Sequence, residues 1–267
     1  MLTRILTALI GIVVFFAVLA LPQQVFTLIV FAVTAVMLGE MYGVLKCGRL
    51  VDAVGFLSGA AVFVPMLLSG KGFGLALAVV IMLYLFTIVF LHGKRNCKDV
   101  LAHGFVTLFL TFFMSYIVRI RLEFPTWAVL WVFIIAWFTD SGAYFAGVFL
   151  GKHKLVPHIS PKKTVEGAVG GVVLCVIASA VYAYILNVYA AGEKEIAVDL
   201  FVAFMLMGLV GSVLSQFGDL VASCIKRDYE IKDYGSILPG HGGLMDRFDS
   251  VVFIAPFVYY AIRLIVM

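Results

Sequence analysis

The chain has 267 residues, 64% of them hydrophobic and only 13% charged, and its mean hydropathy is +1.13. Such a composition excludes a soluble globular domain, and several apolar runs reach the roughly 20 residues that cross a bilayer. The net charge of +4 is not a nucleic-acid signal, because the basic residues are scattered over several loops and form no single patch or stripe.

The first apolar run follows Arg4, continues to Leu21 and has no clear small-x-small cleavage site, so it reads as a retained helix and not a signal peptide. Matching apolar runs to bilayer thickness gives candidate spans at 5–21, 25–44, 53–69, 72–92, 101–118, 125–150, 165–190, 199–224 and 250–267. The expected fold is all-α: a polytopic integral membrane protein of about nine transmembrane helices. With a cytoplasmic N-terminus, fourteen Lys and Arg fall inside, and only Lys71, Arg119, Arg121, Lys194 and Arg263 fall outside, the bias that the positive-inside rule requires. Cys47, Cys97, Cys175 and Cys224 make no CxxC pair and no zinc-type cluster, so free thiols are expected.

Residues 1–124 carry little chemistry and read as a scaffold of transmembrane helices. Glu40, near the end of the second span, has no partner in view and is read as snorkelling to the interface, the alternative being a functional intramembrane carboxylate. His92, His103, Lys94, Arg95 and Lys98 are placed at the lipid headgroup boundary.

Residues 125–267 differ, and read as a catalytic transmembrane region with polar cytoplasmic loops. Asp140 lies in Thr139-Asp140-Ser141-Gly142 within the sixth span, where a carboxylate costs several kcal/mol unless paired, hydrated or protonated. It is expected to face a polar cavity; a hydrogen bond between helices is the alternative. Farther on, Ser160 followed by Pro161 reads as an N-cap and first helical residue. Lys162 and Lys163 would then oppose the macrodipole of that helix, a conflict that a bound anion would remove, the alternative being a merely cytoplasmic basic flank.

On the eighth span Ser212, Ser215, Gln216, Asp219, Ser223, Lys226 and Arg227 recur at three- and four-residue steps, a polar stripe expected to line water, the alternative being that its small polar residues hold membrane helices together. The stripe leads into the longest polar stretch of the chain, Asp219 to Asp249. This segment combines a glycine-rich turn over Gly240, His241, Gly242 and Gly243 with the cations Lys226, Arg227, Lys232 and Arg247 and with metal-type carboxylates. Asp219, Asp246 and Asp249 are hard oxygen donors suited to Mg2+, and Asp246 and Asp249 stand three apart at the start of the last span, on one face.

These residues closely resemble the signature of the phosphatidate cytidylyltransferase (CDP-diacylglycerol synthase) family. The match runs through Ser223, Lys226-Arg227, Lys232-Asp233, His241-Gly242-Gly243 and Asp246-Arg247-Phe248-Asp249 at matching spacing. It extends to Asp140–Tyr144, Gly151–Leu155 and Ser160–Thr164, so the motifs cover about the C-terminal half. Val148 departs where relatives often carry a basic residue, and Val165 where some carry tryptophan.

The resemblance implies a bacterial-type inner-membrane enzyme of phospholipid biosynthesis, with its site facing the cytoplasm. Its reaction would join phosphatidate and CTP to give CDP-diacylglycerol and pyrophosphate, with the lipid bilayer as the setting and no nucleic acid involved; the family also suggests a homodimer. In such a reaction Asp219, Asp246 and Asp249 would hold Mg2+, and Lys226, Arg227, Lys232, Arg247, Ser223 and Gly240 to Gly243 would hold the nucleotide and leaving pyrophosphate. His241 would either donate to a phosphate oxygen or shape the turn. Ser160, Lys162 and Lys163 would hold a second anion, the lipid phosphate being the candidate, and Asp140 would line the cavity.

Alternatives are a CTP-dependent enzyme acting on another lipid phosphate, a polyprenol kinase, and an anion transporter lined by the basic loops. Residues 219–249 argue against the kinase, and a transporter leaves the three aspartates unexplained. The Asp-Gly-x-x-Ala-Arg pattern of CDP-alcohol phosphotransferases is missing.

Overall fold

A computed structural model describes residues 2–68, 72–190, 198–240 and 242–266; Lys71, Lys194 and His241 lie outside the described residues. Among the described residues the chain forms nine helices and one hairpin: α1 (Leu2–Leu19), α2 (Gln23–Leu45), α3 (Arg49–Leu68), α4 (Phe73–Phe90), α5 (Cys97–Glu123), α6 (Thr126–Leu150), β1 (Lys154–Val156), β2 (Ser160–Thr164), α7 (Val165–Ala190), α8 (Val198–Asp228) and α9 (Met245–Val266). Seven stretches, one in each of α2 to α8, are long and apolar enough to cross a membrane. The protein is an all-α, multi-pass membrane protein. In α1 the described apolar part is Leu9–Leu19, and the apolar run of α9 begins only after Asp249.

The fifth helix is longer at both ends than its apolar run. Its first turn is capped by Asn96, whose side chain accepts from the Lys98 N–H at 3.0 Å. It stops at Phe124, extended at φ −129°, ψ 160°, because the following Pro125 disfavours a helical residue before it.

One expected helix start is corrected. Ser160 to Thr164 form strand β2, antiparallel to β1 with Lys154 opposite Thr164 and Val156 opposite Ser160. The helix opens at Val165, with Thr164 as its cap: the Thr164 Oγ1 accepts from the Gly167 N–H at 3.1 Å. Glu166, in the first turn, accepts from the backbone N–H groups of Lys152 (3.0 Å) and His153 (3.1 Å) and also bonds the His153 Nδ1. This carboxylate suits the positive helix end. Lys162 and Lys163 lie in the strand, so the conflict with the macrodipole does not arise.

The chain packs as two compact units, Met1–Thr126 with Ile231–Phe248, and Trp127–Glu230 with Asp249–Met267. In the first, α2, α3 and α5 pack against one another, α4 packs on α3 and α5, and α1 touches α2. Its core is Met37, Leu38, Met41, Val62, Phe63, Leu110 and Met114, all essentially inaccessible.

His103 is fully buried in this unit, which corrects its expected place at the headgroup boundary. Its ring stacks on Tyr42 with centroids 3.9 Å apart, its Nε2 meets Asp52 at 3.2 Å, and its Nδ1 meets the Tyr84 hydroxyl at 2.8 Å. Thr107 joins the same network through both tyrosine hydroxyls, each at 2.7 Å. In lipid a buried polar ring needs such partners, and four helices supply them here.

In the second unit α7 packs along α8, and α6 meets α7 through small residues. A Cβ on Gly142 would stand 2.7 Å from the Gly170 carbonyl oxygen, one on Gly171 would stand 2.8 Å from that of Thr139, and one on Gly170 would collide with Ala146. Lipid tails are as apolar as leucine, so close backbone approach of this kind is what holds such helices together.

Candidate functional site

In the second unit, residues from three distant parts of the sequence line one cavity of about 360 Å³. Asp140 and Tyr144 come from α6, Lys162, Lys163 and Thr164 from β2, and Gln216 and Asp219 from α8; Val148, Leu155 and Leu220 supply apolar wall. The hairpin folds back over the end of α6 and so carries its lysines to the aspartates. Lys163 Nζ meets Asp219 Oδ2 at 2.7 Å, with both side chains about a quarter to a third exposed. A mostly apolar cavity that also carries cations and carboxylates suits a ligand with both an anionic group and apolar chain.

Asp140 faces this cavity, as expected of a carboxylate in an apolar helix. Ser160 does not line it; it sits in β2 opposite Val156. The polar stripe of α8 is corrected in its first part. Ser212 and Ser215 are fully buried, and the Ser212 hydroxyl donates to its own helix at Leu209 O, 2.8 Å away. Gln216 reaches the cavity but also donates to the Ala168 carbonyl at 3.2 Å, so the stripe serves helix packing first and lines solvent only from Gln216 onward.

Farther along α8, the Ser223 hydroxyl donates to Asp219 Oδ1 at 3.4 Å, and Arg227 Nε donates to the Ile159 carbonyl at 3.1 Å, tying the helix end to the hairpin turn. Lys226 and Arg227 occupy the last turn, where their charge suits the helix dipole. Asp249 is 8% exposed and accepts from the Ser250 N–H at 2.7 Å. Burial first, then the negative charges of Asp219 and Asp140, raise its carboxyl to about 7, against the pull of the Ser250 N–H and Lys226.

In the first unit, the segment 231–248 forms a second cavity of about 590 Å³, lined by Lys232, Asp233, Gly235, Ser236, Leu238, Gly240, Gly242 and Arg247. Gly240 and Gly242 have φ of +76° and +84°, the left-handed region that a turn this tight requires of glycine. A Cβ on Gly242 would press on Asp246 Oδ2 and Asp233 Oδ1, 3.1 and 3.2 Å away. Asp246 Oδ2 accepts from the N–H groups of Tyr234 (2.9 Å) and Gly243 (3.0 Å), so this carboxylate cross-links the two ends of the loop.

Glu40 is not at the interface. It is 9% exposed and accepts from the N–H of Leu244 at 2.9 Å through one oxygen and that of Met245 at 2.8 Å through the other. The snorkelling expectation is corrected: a buried carboxylate needs donors, and the unpaired N–H groups at the start of α9 provide two. No local pattern announces such a partner 204 residues away. Thr164 and Gln216 were also absent from the expected site; the first was hidden by the misplaced helix start, and the second was noted only as part of a stripe.

The expected site residues therefore divide between the units. Asp140, Ser160, Lys162, Lys163, Asp219, Ser223, Lys226, Arg227 and Asp249 belong to the second; Lys232, Gly240, Gly242, Gly243, Asp246 and Arg247 belong to the first. Among the described residues no three His, Cys, Asp or Glu side chains converge closely enough to hold a metal by themselves.

Comparison with known proteins gives matches along the whole chain. The profile of the Cytidylyltransferase family matches residues 2–265. A phosphatidate cytidylyltransferase of Bacillus subtilis (strain 168) is 33% identical over 98% of this chain and 97% of its own length. One from Thermotoga maritima is 34% identical over 63% of this chain and 61% of its own length. One from Staphylococcus saprophyticus is 46% identical over 48% of this chain and 46% of its own length.

Proposed function

Because the chain belongs to the cytidylyltransferase family, we propose that it transfers a cytidylyl group from CTP to phosphatidate, giving CDP-diacylglycerol and pyrophosphate for phospholipid synthesis. The observation that carries this reading is the mostly apolar cavity of the second unit, which Lys162, Lys163, Asp140 and Asp219 all line. The name of the Bacillus subtilis relative, matched over nearly its full length, supports the same reaction.

A phosphate monoester with a second pKa of about 6 is largely dianionic at neutral pH, so the attacking oxygen needs no strong base. One phosphatidate oxygen forms a bond to the α-phosphorus of CTP, and the bond from that phosphorus to the bridging oxygen of the β-phosphate breaks; pyrophosphate leaves with the electron pair. Two anions must be brought together for this, and catalysis consists mainly of alignment and charge neutralisation. Lys162 and Lys163 would hold the lipid phosphate while Leu155, Val148 and Leu220 accept apolar chain. Lys226, Arg227, Lys232 and Arg247 are the cations of the motif that would neutralise phosphate charge, the arginines by paired hydrogen bonds.

Asp219 and Asp249 are hard oxygen ligands suited to Mg2+, and burial with the charges of Asp219 and Asp140 works against an unaccompanied Asp249 carboxylate. An ion that takes few carboxylates and completes its shell with phosphate oxygens suits a site without a full protein cage. When bound it would neutralise phosphate charge in the transfer. Asp246, the third carboxylate of the motif, holds the loop that carries Lys232. The excess of Lys and Arg in the loops 151–164 and 226–247 supports a cytoplasmic face for them by the positive-inside rule, in a membrane that would be the inner membrane of a bacterial-type cell.

The deciding experiment follows labelled CTP with purified protein in phosphatidate-containing micelles, with and without Mg2+. Metal-dependent and phosphatidate-dependent CDP-diacylglycerol is the expected product. No nucleotide turnover by folded protein with any lipid phosphate acceptor would overturn the reading.

A further inference from the structure

The Glu40 side chain reaches from α2 to the start of α9, and its carboxylate bonds and close contacts with Leu244, Met245, Gly235 and Gly243 all fall in one segment of the first unit. Its two oxygens take the N–H groups of Leu244 and Met245. Gly235 and Gly243 close over it: a Cβ on Gly243 would lie 2.6 Å from both carboxylate oxygens, and one on Gly235 would collide with Oε1. Between these contacts stands the Asp246 cross-link to Tyr234 and Gly243, and the segment so held carries the cavity residues Lys232, Ser236, Gly240 and Arg247.

A helix start is commonly satisfied by a neighbouring Ser, Thr, Asp or Asn, or by a bound anion. Here Leu244 precedes the helix and has no such side chain, so a carboxylate from another helix does both tasks. It gives the loop a fixed register on α2 and occupies the anion-attracting end of α9. Phosphate groups entering the loop cavity are thereby left to the cations Lys232 and Arg247 rather than to the Leu244 and Met245 amides. Resting on the cytidylyl-transfer reading, we infer that Glu40 is a positioning residue for the nucleotide: it holds the 231–248 loop in the form that binds the triphosphate of CTP, without itself touching substrate.

Glu40→Gln keeps the length but offers one acceptor where two donors point, and Gly235→Ala displaces the carboxylate without altering it. The test measures KM for CTP and for phosphatidate separately, together with hydrogen exchange of the 231–248 amides in micelles. Glu123→Gln, an exposed position on α5, is the control. Expected for both loop-directed variants are a rise of about tenfold in KM for CTP, the factor that 1.4 kcal/mol represents, a phosphatidate KM within about twofold of wild type, and faster exchange in 231–248. An unchanged CTP KM, or CTP and phosphatidate KM rising together, would overturn the inference, as would unchanged exchange. Loss of activity matching only the loss of folded protein would also overturn it. A wild-type protein that transfers no cytidylyl group would instead sink the functional reading, and the loop-holding role would then stand or fall on the exchange data and on direct CTP binding.

Discussion

Lys163 and Asp219, 2.7 Å apart, are the point where the hairpin and α8 share one cavity. Removing the cation should weaken the hold on the lipid phosphate: Lys163→Gln is expected to raise the phosphatidate KM severalfold and leave that for CTP nearly unchanged, as measured in mixed micelles at fixed Mg2+. Asp219→Asn and Asp246→Asn should each lower kcat by about a hundredfold or more, the scale for removing a group that organises charge in the transition state, while gel filtration in detergent shows folded protein. Full activity in Asp219→Asn would remove the metal assignment. Most of these side chains could be read from the sequence, because an isolated carboxylate or a lysine pair in so apolar a chain has few structural explanations. Glu40 was seen but given the wrong surroundings, since a lone acid near a helix end looks the same whether it reaches water or a distant backbone.

Helices were the most legible elements, because bilayer thickness sets their length and apolar residues mark it. The exceptions were polar extensions: α5 begins at Cys97 through the Asn96 cap, outside any apolar run. The hairpin was missed for a comparable reason. Ser160-Pro161 has the residues of a helix start, but Thr164 is the better cap, with Glu166 placed to bind the 152–153 amides. Thr164→Ala should therefore destabilise the second unit by about 1 kcal/mol, seen as a lower melting temperature in detergent with phosphatidate KM altered more than CTP KM. Gly170→Val should act more severely at the α6 and α7 contact, where added atoms meet Ala146; overpacking of this kind costs about 1–3 kcal/mol. If Gly170→Val melts with the wild type, those helices are not held by close backbone approach.

For the whole molecule, the bias of basic residues favours a cytoplasmic N-terminus, and the cysteines allow that orientation to be checked. Cys97 is exposed at the start of α5, whereas Cys47 and Cys175 are buried. In a Cys224→Ser background, a membrane-impermeant maleimide should label Cys97 in inverted vesicles and not in intact spheroplasts; the reverse would invert the topology and place the polar loops outside. Residues 125–267 were expected to form one region, yet 231–248 packs with the N-terminal helices, and Glu40 meets amides 204 and 205 residues away. This connectivity has a consequence for biogenesis. At about 5–20 residues per second, a ribosome that has just made Glu40 needs roughly 10–40 s to make its partners, and in that interval six further apolar helices, α3 to α8, must enter the bilayer with the carboxylate uncapped. A nascent chain arrested near residue 230 would thus hold the acid of its second helix without the two amides that cap it in the finished chain.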